Sequence, residues 1–150
     1  MLDADNEVMP HGLERLVEAL DEDPEAAFAY GAFERFQSGG TLGIMNFLPW
    51  DPWRLRRSNF VDAMALVRTA VLRDMGGYTT DRGLYGWEDF ELWCHMAEEG
   101  HRGRLVPEIV ARYRTTGHSM LSLTNLSASH PFSVLIERYP KLMAGLEPPL

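Results

Sequence analysis

Residues Tyr85 to Trp93 read YGWEDFELW, and the parsing of this stretch decides the fold. Glu88 and Asp89 suit the first turn of a helix, where unpaired amides and the helix dipole favour acids. Phe90, Trp93, Cys94 and Ala97 then recur on one helical face, and Gly100 is a natural stop. A capping role accounts for the two charges but not for Gly86 and Trp87 just before them. Moving upstream, Thr69 is placed to cap a short helix, AVLRDM, that Gly76 and Gly77 would end. FVDAMALVR (60–68) before it reads as a strand. Downstream, GRLVPEIVARYR (103–114) reads as a further strand, broken near Pro107. Strand and helix therefore alternate, and the alternation predicts an α/β domain with a mixed sheet and flanking helices.

The rest of the chain extends the pattern. Met1 to Asp3 is long enough only for the tail of a strand. Leu13, Leu16, Val17 and Leu20 recur at helical spacing, with Pro10 suited to the first turn, and the helix should stop in DEDPE (21–25). AAFAYGAFERF (26–36), rich in aromatic and small residues, predicts a buried strand. QSGGTLG (37–43) reads as a turn or loop, and NFLPWDPWRLRRSN (46–59) as an irregular segment with a functional flavour. After a polar loop, PFSVLIERY (131–139) predicts a short amphipathic helix.

Bulk properties narrow the function classes. The 150 residues carry 45% hydrophobic and 24% charged side chains and a formal net charge of −8, values of an ordinary globular domain. A phosphate-backbone binder needs a basic surface, so nucleic acid is not an expected partner. No apolar run approaches the ~20 residues of a membrane span. Cys94 is the only cysteine, which excludes an internal disulfide and a multi-cysteine zinc site.

The second acidic stretch is LDADNEV (2–8). Asp3 and Asp5 fall on one side if the backbone is extended. Two acids on one side repel and favour a cation beside them; oxygen-only ligands suit Mg²⁺ or Mn²⁺. A solvated acidic turn accounts for the pair as well. An Asp-x-Asp after a strand also opens phosphatases of the haloacid dehalogenase type. Here, however, Glu7 stands where those carry Thr or Val, and the only lysine, Lys141, lies near the far end beside a proline.

Taken in order, LDAD, GLERLVEAL, AFAYGAF, ALVRTAVLRDMGGY, GWEDFELW and ARYRTTGHSM resemble the second half of a GT-A glycosyltransferase of family 2. The resemblance covers residues 1–120; residues 121–150 would be a C-terminal loop and helix of the same single, partial domain. It implies a partial GT-A, Rossmann-like α/β fold and an inverting transfer of a sugar from a nucleoside diphosphate to an acceptor hydroxyl. Asp5 would be the metal ligand for Mn²⁺ or Mg²⁺, and Asp3 would contact the ribose or donor sugar or assist the metal. Asp89 would be the general base, with Glu88 orienting the acceptor or supporting it. Trp87 would stack on the acceptor sugar, or else be a core tryptophan. Arg112 and Arg114 would bind the donor diphosphate, a role also open to Arg54, Arg56 and Arg57, and His118 would complete the metal shell.

The resemblance further implies a nucleotide-sugar donor and a carbohydrate or lipid-linked acceptor. The location would be cytoplasmic, with membrane association open for a longer protein. The nucleotide-binding half that such enzymes carry before the Asp-x-Asp is not among these residues. The chain is therefore expected to be an acceptor-side portion that transfers no sugar alone and dimerises through an exposed sheet edge. The competing class is a non-catalytic module that keeps the fold to bind a sugar or a partner.

Overall fold

The computed structural model describes residues 1–115 and 129–147. Its elements in chain order are β1 (Glu7–Val8), α1 (Gly12–Glu22), β2 (Ala26–Gln37), β3 (Gly40–Met45), β4 (Leu66–Val67), α2 (Thr69–Asp74), α3 (Glu88–Glu98), β5 (Arg102–Arg114) and α4 (Ser129–Arg138). Short 3₁₀ turns lie at Pro52–Arg56 and Arg82–Leu84. The expected mixed sheet is present. β2 runs parallel to β5 on one edge and antiparallel to β3 and β4 on the other, and β1 adds to β5 antiparallel.

β2 is the axis of the domain. Its residues from Ala26 to Phe33 are all buried, as a run of apolar and small side chains with both faces covered should be. Alternation along the strand splits the core in two. Phe28 and Tyr30 join Trp93, Leu92, Met96 and Leu135 of α3 and α4. Ala29 and Phe33 join Leu16, Ala19 and Leu20 of α1, with Val106 and Val110 of β5. The helices thus cover opposite faces. Phe28 stacks on Trp93 with ring centroids 4.7 Å apart, and the Trp93 indole donates to the Val61 carbonyl at 2.7 Å. That bond fixes the segment after residue 58 against α3.

Several expectations need correction. Of the turn or loop expected for QSGGTLG, the turn is present, at Ser38 and Gly39, but the rest is strand: Gly40 pairs with Gln37 and the chain runs straight into β3, with a bulge at Arg35/Phe36. FVDAMALVR supplies only two strand residues, Leu66 and Val67. Ahead of them, Asn59 Oδ1 accepts from the Val61 N–H and Asp62 Oδ1 from the Met64 N–H. Such local side-chain bonds compete with a sheet ladder and turn the chain. The strand expected at Met1–Asp3 appears instead at Glu7–Val8. Thr69 is the first residue of α2 rather than its cap; Arg68 holds that position without a side-chain bond. β5 is continuous past Pro107, because its register with β2 shifts between Val106 and Ile109, leaving the proline in a bulge.

The helix stops are as the sequence implies. Gly76 and Gly77 take φ of 82° and 79°, and the Gly77 N–H closes on the Leu72 carbonyl at 2.8 Å, a left-handed cap that suits glycine. Gly86, with φ 78°, makes the same demand just before Trp87, which is why a glycine precedes the α3 acids.

Candidate functional site

The site is built on the start of α3. Asp89 lies in the first turn and is half-buried. Its Oδ1 accepts from the Phe90 N–H at 2.8 Å and its Oδ2 from Asn59 Nδ2 at 2.9 Å. Burial pushes its carboxyl up to about 6, and the Asp62 carboxylate adds to the rise; the two hydrogen bonds oppose it. A carboxyl near neutrality beside a second carboxylate is an arrangement suited to proton transfer.

Asp62 is the neighbour that the sequence did not announce. Its N–H donates to Asn46 Oδ1 at 2.8 Å, while Asn46 Nδ2 donates to the Gly31 carbonyl at 2.7 Å. Asn46 is 7% exposed and holds a left-handed φ of 60°, so a buried amide bridges β2 to the turn that carries Asp62. Burial raises the Asp62 carboxyl, and the Asp3 carboxylate raises it further. The Tyr113 phenol, at the end of β5, is raised by burial and then by Asp62, Asp3, Asp5 and Asp89 in turn. Tyr78 is raised by burial and by Asp89 and Asp62. Four aspartates from three distant stretches therefore act on Tyr113, while Asp3 acts on Asp62 and Asp62 on Asp89.

Asp3 and Asp5 are both exposed. They sit in a turn, closed by the Asn6 N–H on the Asp3 carbonyl at 3.2 Å, so the extended geometry assumed for them does not hold. The turn is seated between two walls. Met1's ammonium donates to the Ala63 carbonyl at 3.2 Å, and on the other side Asn6 Oδ1 accepts from the Arg114 N–H at 2.9 Å. Arg114 Nε also donates to the Asp5 carbonyl at 3.2 Å.

The remaining sequence candidates lie as follows. Glu88 opens α3 and is half-buried. Trp87 is 9% exposed in the core, its ring 5.3 Å from that of Phe90, and its Nε1 finds no acceptor among the described residues. Its placement matches the core alternative for this residue. Arg112 pairs with Glu34 at 2.9 Å and Glu7 at 2.7 Å, and Arg114 lies 3.9 Å from Glu7. Both guanidinia also lie over the Phe36 ring, so both are already engaged. Arg54, Arg56 and Arg57 stand apart, on the 3₁₀ turn and just after it. His118 lies outside the described residues.

The donors available to a cation are carboxylate oxygens, the kind that Mg²⁺ and Mn²⁺ take. Among the described residues no three His, Cys, Asp or Glu side chains are gathered closely enough to cage an ion unaided. An ion that keeps several waters and shares one or two carboxylates with a phosphate ligand fits that donor set. No helix among the described residues is long and apolar enough to cross a membrane.

Sequence reasoning missed Asn59, Asp62 and the two tyrosines. Asp is depleted in strands, and its presence inside a supposed strand was the available signal for Asp62; Asn59 stands just ahead of that strand, at the end of the irregular segment. The chain matches no protein-family model and no curated protein.

Proposed function

We propose that the chain carries the acceptor and general-base side of a metal-dependent, inverting glycosyltransferase of partial GT-A fold. One observation carries the reading: Asp89, held by Asn59 with its carboxyl near 6, shares its surroundings with Asp62 and the Asp3–Asp5 turn. Asp89 takes the proton of the acceptor hydroxyl as that oxygen bonds to the anomeric carbon and the bond to the diphosphate breaks on the opposite face. Asn59 aims the accepting oxygen, and burial, helped by Asp62, keeps its proton affinity high enough for the transfer. Asp5, with Asp3, would hold Mn²⁺ or Mg²⁺, which when bound neutralises charge on the leaving diphosphate. The acceptor is a carbohydrate or a lipid-linked sugar, and the location proposed is cytoplasmic.

The open edge of β5 supports the expected dimer. Among the described residues β1 pairs it outward at Ala111 and Arg112, and the Met9 N–H and Asn6 Oδ1 engage it at Val110 and Arg114; no strand lies on that side of the stretch ahead of Val110. Light scattering on the 150-residue chain should report the dimer, and a monomer would remove that part of the reading.

The alternative is a non-catalytic module for a sugar or a partner. It is favoured by the engagement of Arg112 and Arg114 with Glu7 and Glu34, which leaves neither guanidinium free for a diphosphate. The test is a transfer assay with UDP-, GDP- and dTDP-sugars and Mn²⁺, on the gene product with any in-frame sequence upstream of Met1 included. Turnover that rises with pH through about 6 and falls about 10²–10⁴-fold in Asp89→Asn supports the enzyme. Absence of turnover with every donor supports the module.

A further inference from the structure

A second concave surface lies beside Asn59. A groove of about 580 Å³ is lined by Trp53, Arg54, Arg56, Arg57, Ser58 and Phe60, among others. The chain is strongly acidic, with a net charge of −8, yet here three arginines gather within four positions. Among the described residues only one carboxylate lines the groove, Asp51, and it reaches Arg54 at 3.7 Å. Arg57 is exposed and pairs with no carboxylate among the described residues. Trp53 is 59% exposed. Arg56 lies over its ring, 4.8 Å from the centroid, and is anchored by donating to the Ala144 carbonyl at 2.6 Å. The Asp51 side chain caps the turn through the Trp53 N–H. A large exposed ring held in a fixed place beside unpaired guanidinium charge is costly for a soluble surface and suits recognition.

The position is informative as well. Ser58 and Phe60 line the groove, and Asn59 between them donates to Asp89. Two residues lining the groove therefore flank the residue that holds the base.

We infer that this groove binds a sugar bearing an oxyanion, with its ring against Trp53 and its phosphate or carboxylate on Arg54 and Arg57. The role as acceptor site rests on the function proposed above; the binding itself does not. A phosphate and a carboxylate share the chemistry that a guanidinium recognises, and the ring supplies what Trp53 adds.

The experiment is equilibrium calorimetry on the 150-residue chain without any donor. The probes are glucose 1-phosphate, glucuronic acid, inorganic phosphate and glucose. The proteins are wild type, R54Q/R57Q, Trp53→Ala and, as a control outside the groove, Arg15→Gln. All the groove substitutions are at exposed positions, and unchanged circular dichroism and melting establish that the variants fold. Binding of glucose 1-phosphate or glucuronic acid, weakened about tenfold or more in R54Q/R57Q and about fivefold in Trp53→Ala, is the expected result, with Arg15→Gln unaffected. Which of the two anions binds tells phosphate from carboxylate.

Glucose binding as well as its phosphate would overturn the role of charge, and inorganic phosphate binding as well as glucose 1-phosphate would overturn that of the ring. Displacement of the sugar by UDP or GDP would make the groove the donor diphosphate site and overturn the assignment. Binding only to phosphatidylglycerol vesicles, and to none of the soluble probes, would make it a membrane contact and likewise sink it. Binding as expected, with no turnover of the bound sugar in the transfer assay on the gene product with any upstream in-frame sequence, would leave the groove standing and remove the base reading alone.

Discussion

Asp89→Asn tests the site through stability, without any substrate. In the fold the Asp89 carboxyl titrates at about 6 instead of its ordinary 3.8. At about 1.4 kcal/mol per pH unit, that rise corresponds to roughly 3 kcal/mol. The folded-state value is the higher one, so the fold favours the protonated acid. The contribution is fully present below about pH 4 and is lost as pH rises through 6. Asparagine has no such dependence. Its single carbonyl oxygen can accept from Phe90 or from Asn59, not both, which costs about 1 kcal/mol for the lost bond. The variant should therefore be about 1 kcal/mol less stable than wild type at pH 4 and about 2 kcal/mol more stable at pH 8. Urea unfolding followed by tryptophan fluorescence at a series of pH values measures the difference. Every other titrating group is common to both proteins and cancels to first order. A difference that stays constant between pH 4 and 8 would refute the argument, because Asp89 would then be solvated like any surface acid.

Gly12→Ala should destabilise by about 3 kcal/mol in the same unfolding assay, since an added Cβ would stand 2.1 Å from the Val110 carbonyl oxygen and α1 must lift off β5. Arg138→Ala should cost roughly 2–3 kcal/mol in thermal melts: it leaves Glu91, 5% exposed, without its cation and frees Asp81 as well, a loss tempered by the partial exposure of Arg138. Asp5→Ala should abolish Mn²⁺-dependent binding of a nucleoside diphosphate measured by calorimetry on the gene product with any upstream in-frame sequence, while leaving the melting temperature unchanged because Asp5 is exposed; unchanged binding would remove its metal role.

What could be read from the sequence divides along the range of the interactions involved. α3 was legible because its signals are local: acids in the first turn, an apolar face and Gly100 at the end. Gly76 and Gly77 stop α2 for the same kind of reason. β2 was legible because eight consecutive apolar or small residues leave little choice but burial. The hairpin at Gly40 was not, since glycine-rich composition looks the same in a mobile loop and in a tight turn between paired strands. The segment 60–68 misled more instructively. Its apolar residues are those of a strand, and they are buried, Val61 at 1%. The bonds that bend it come from Asn59 and Asp62, and from Asn46 in a different stretch. Those same polar residues place a second acid beside Asp89. A pattern of hydrophobicity registers where the segment goes but not that its polar members aim at one another.

The two acidic halves of the site differ in how firmly they are held, and the difference bears on chemistry. Asp89 stands on a helix whose next turn is locked by Trp93, 0% exposed, stacked on Phe28 and bonded to Val61. Its partner Asn59 is fixed in turn by the Val61 N–H. A base gains from such rigidity, because the accepting oxygen is in place before the proton moves. Asp3 and Asp5 lie exposed on a turn tied down at its ends by Met1 and by Asn6 and Arg114. Under the function proposed above, that turn would adjust its carboxylates to a cation arriving with its own phosphate ligand and waters, and the cation side would be adaptable where the base side is fixed. Removing the Asn6–Arg114 tie with Asn6→Ala should therefore weaken Mn²⁺-dependent nucleotide binding in calorimetry. It should leave the Asp89-dependent pH profile of unfolding untouched; movement of both together would mean that the two halves are one rigid unit and that this division is wrong.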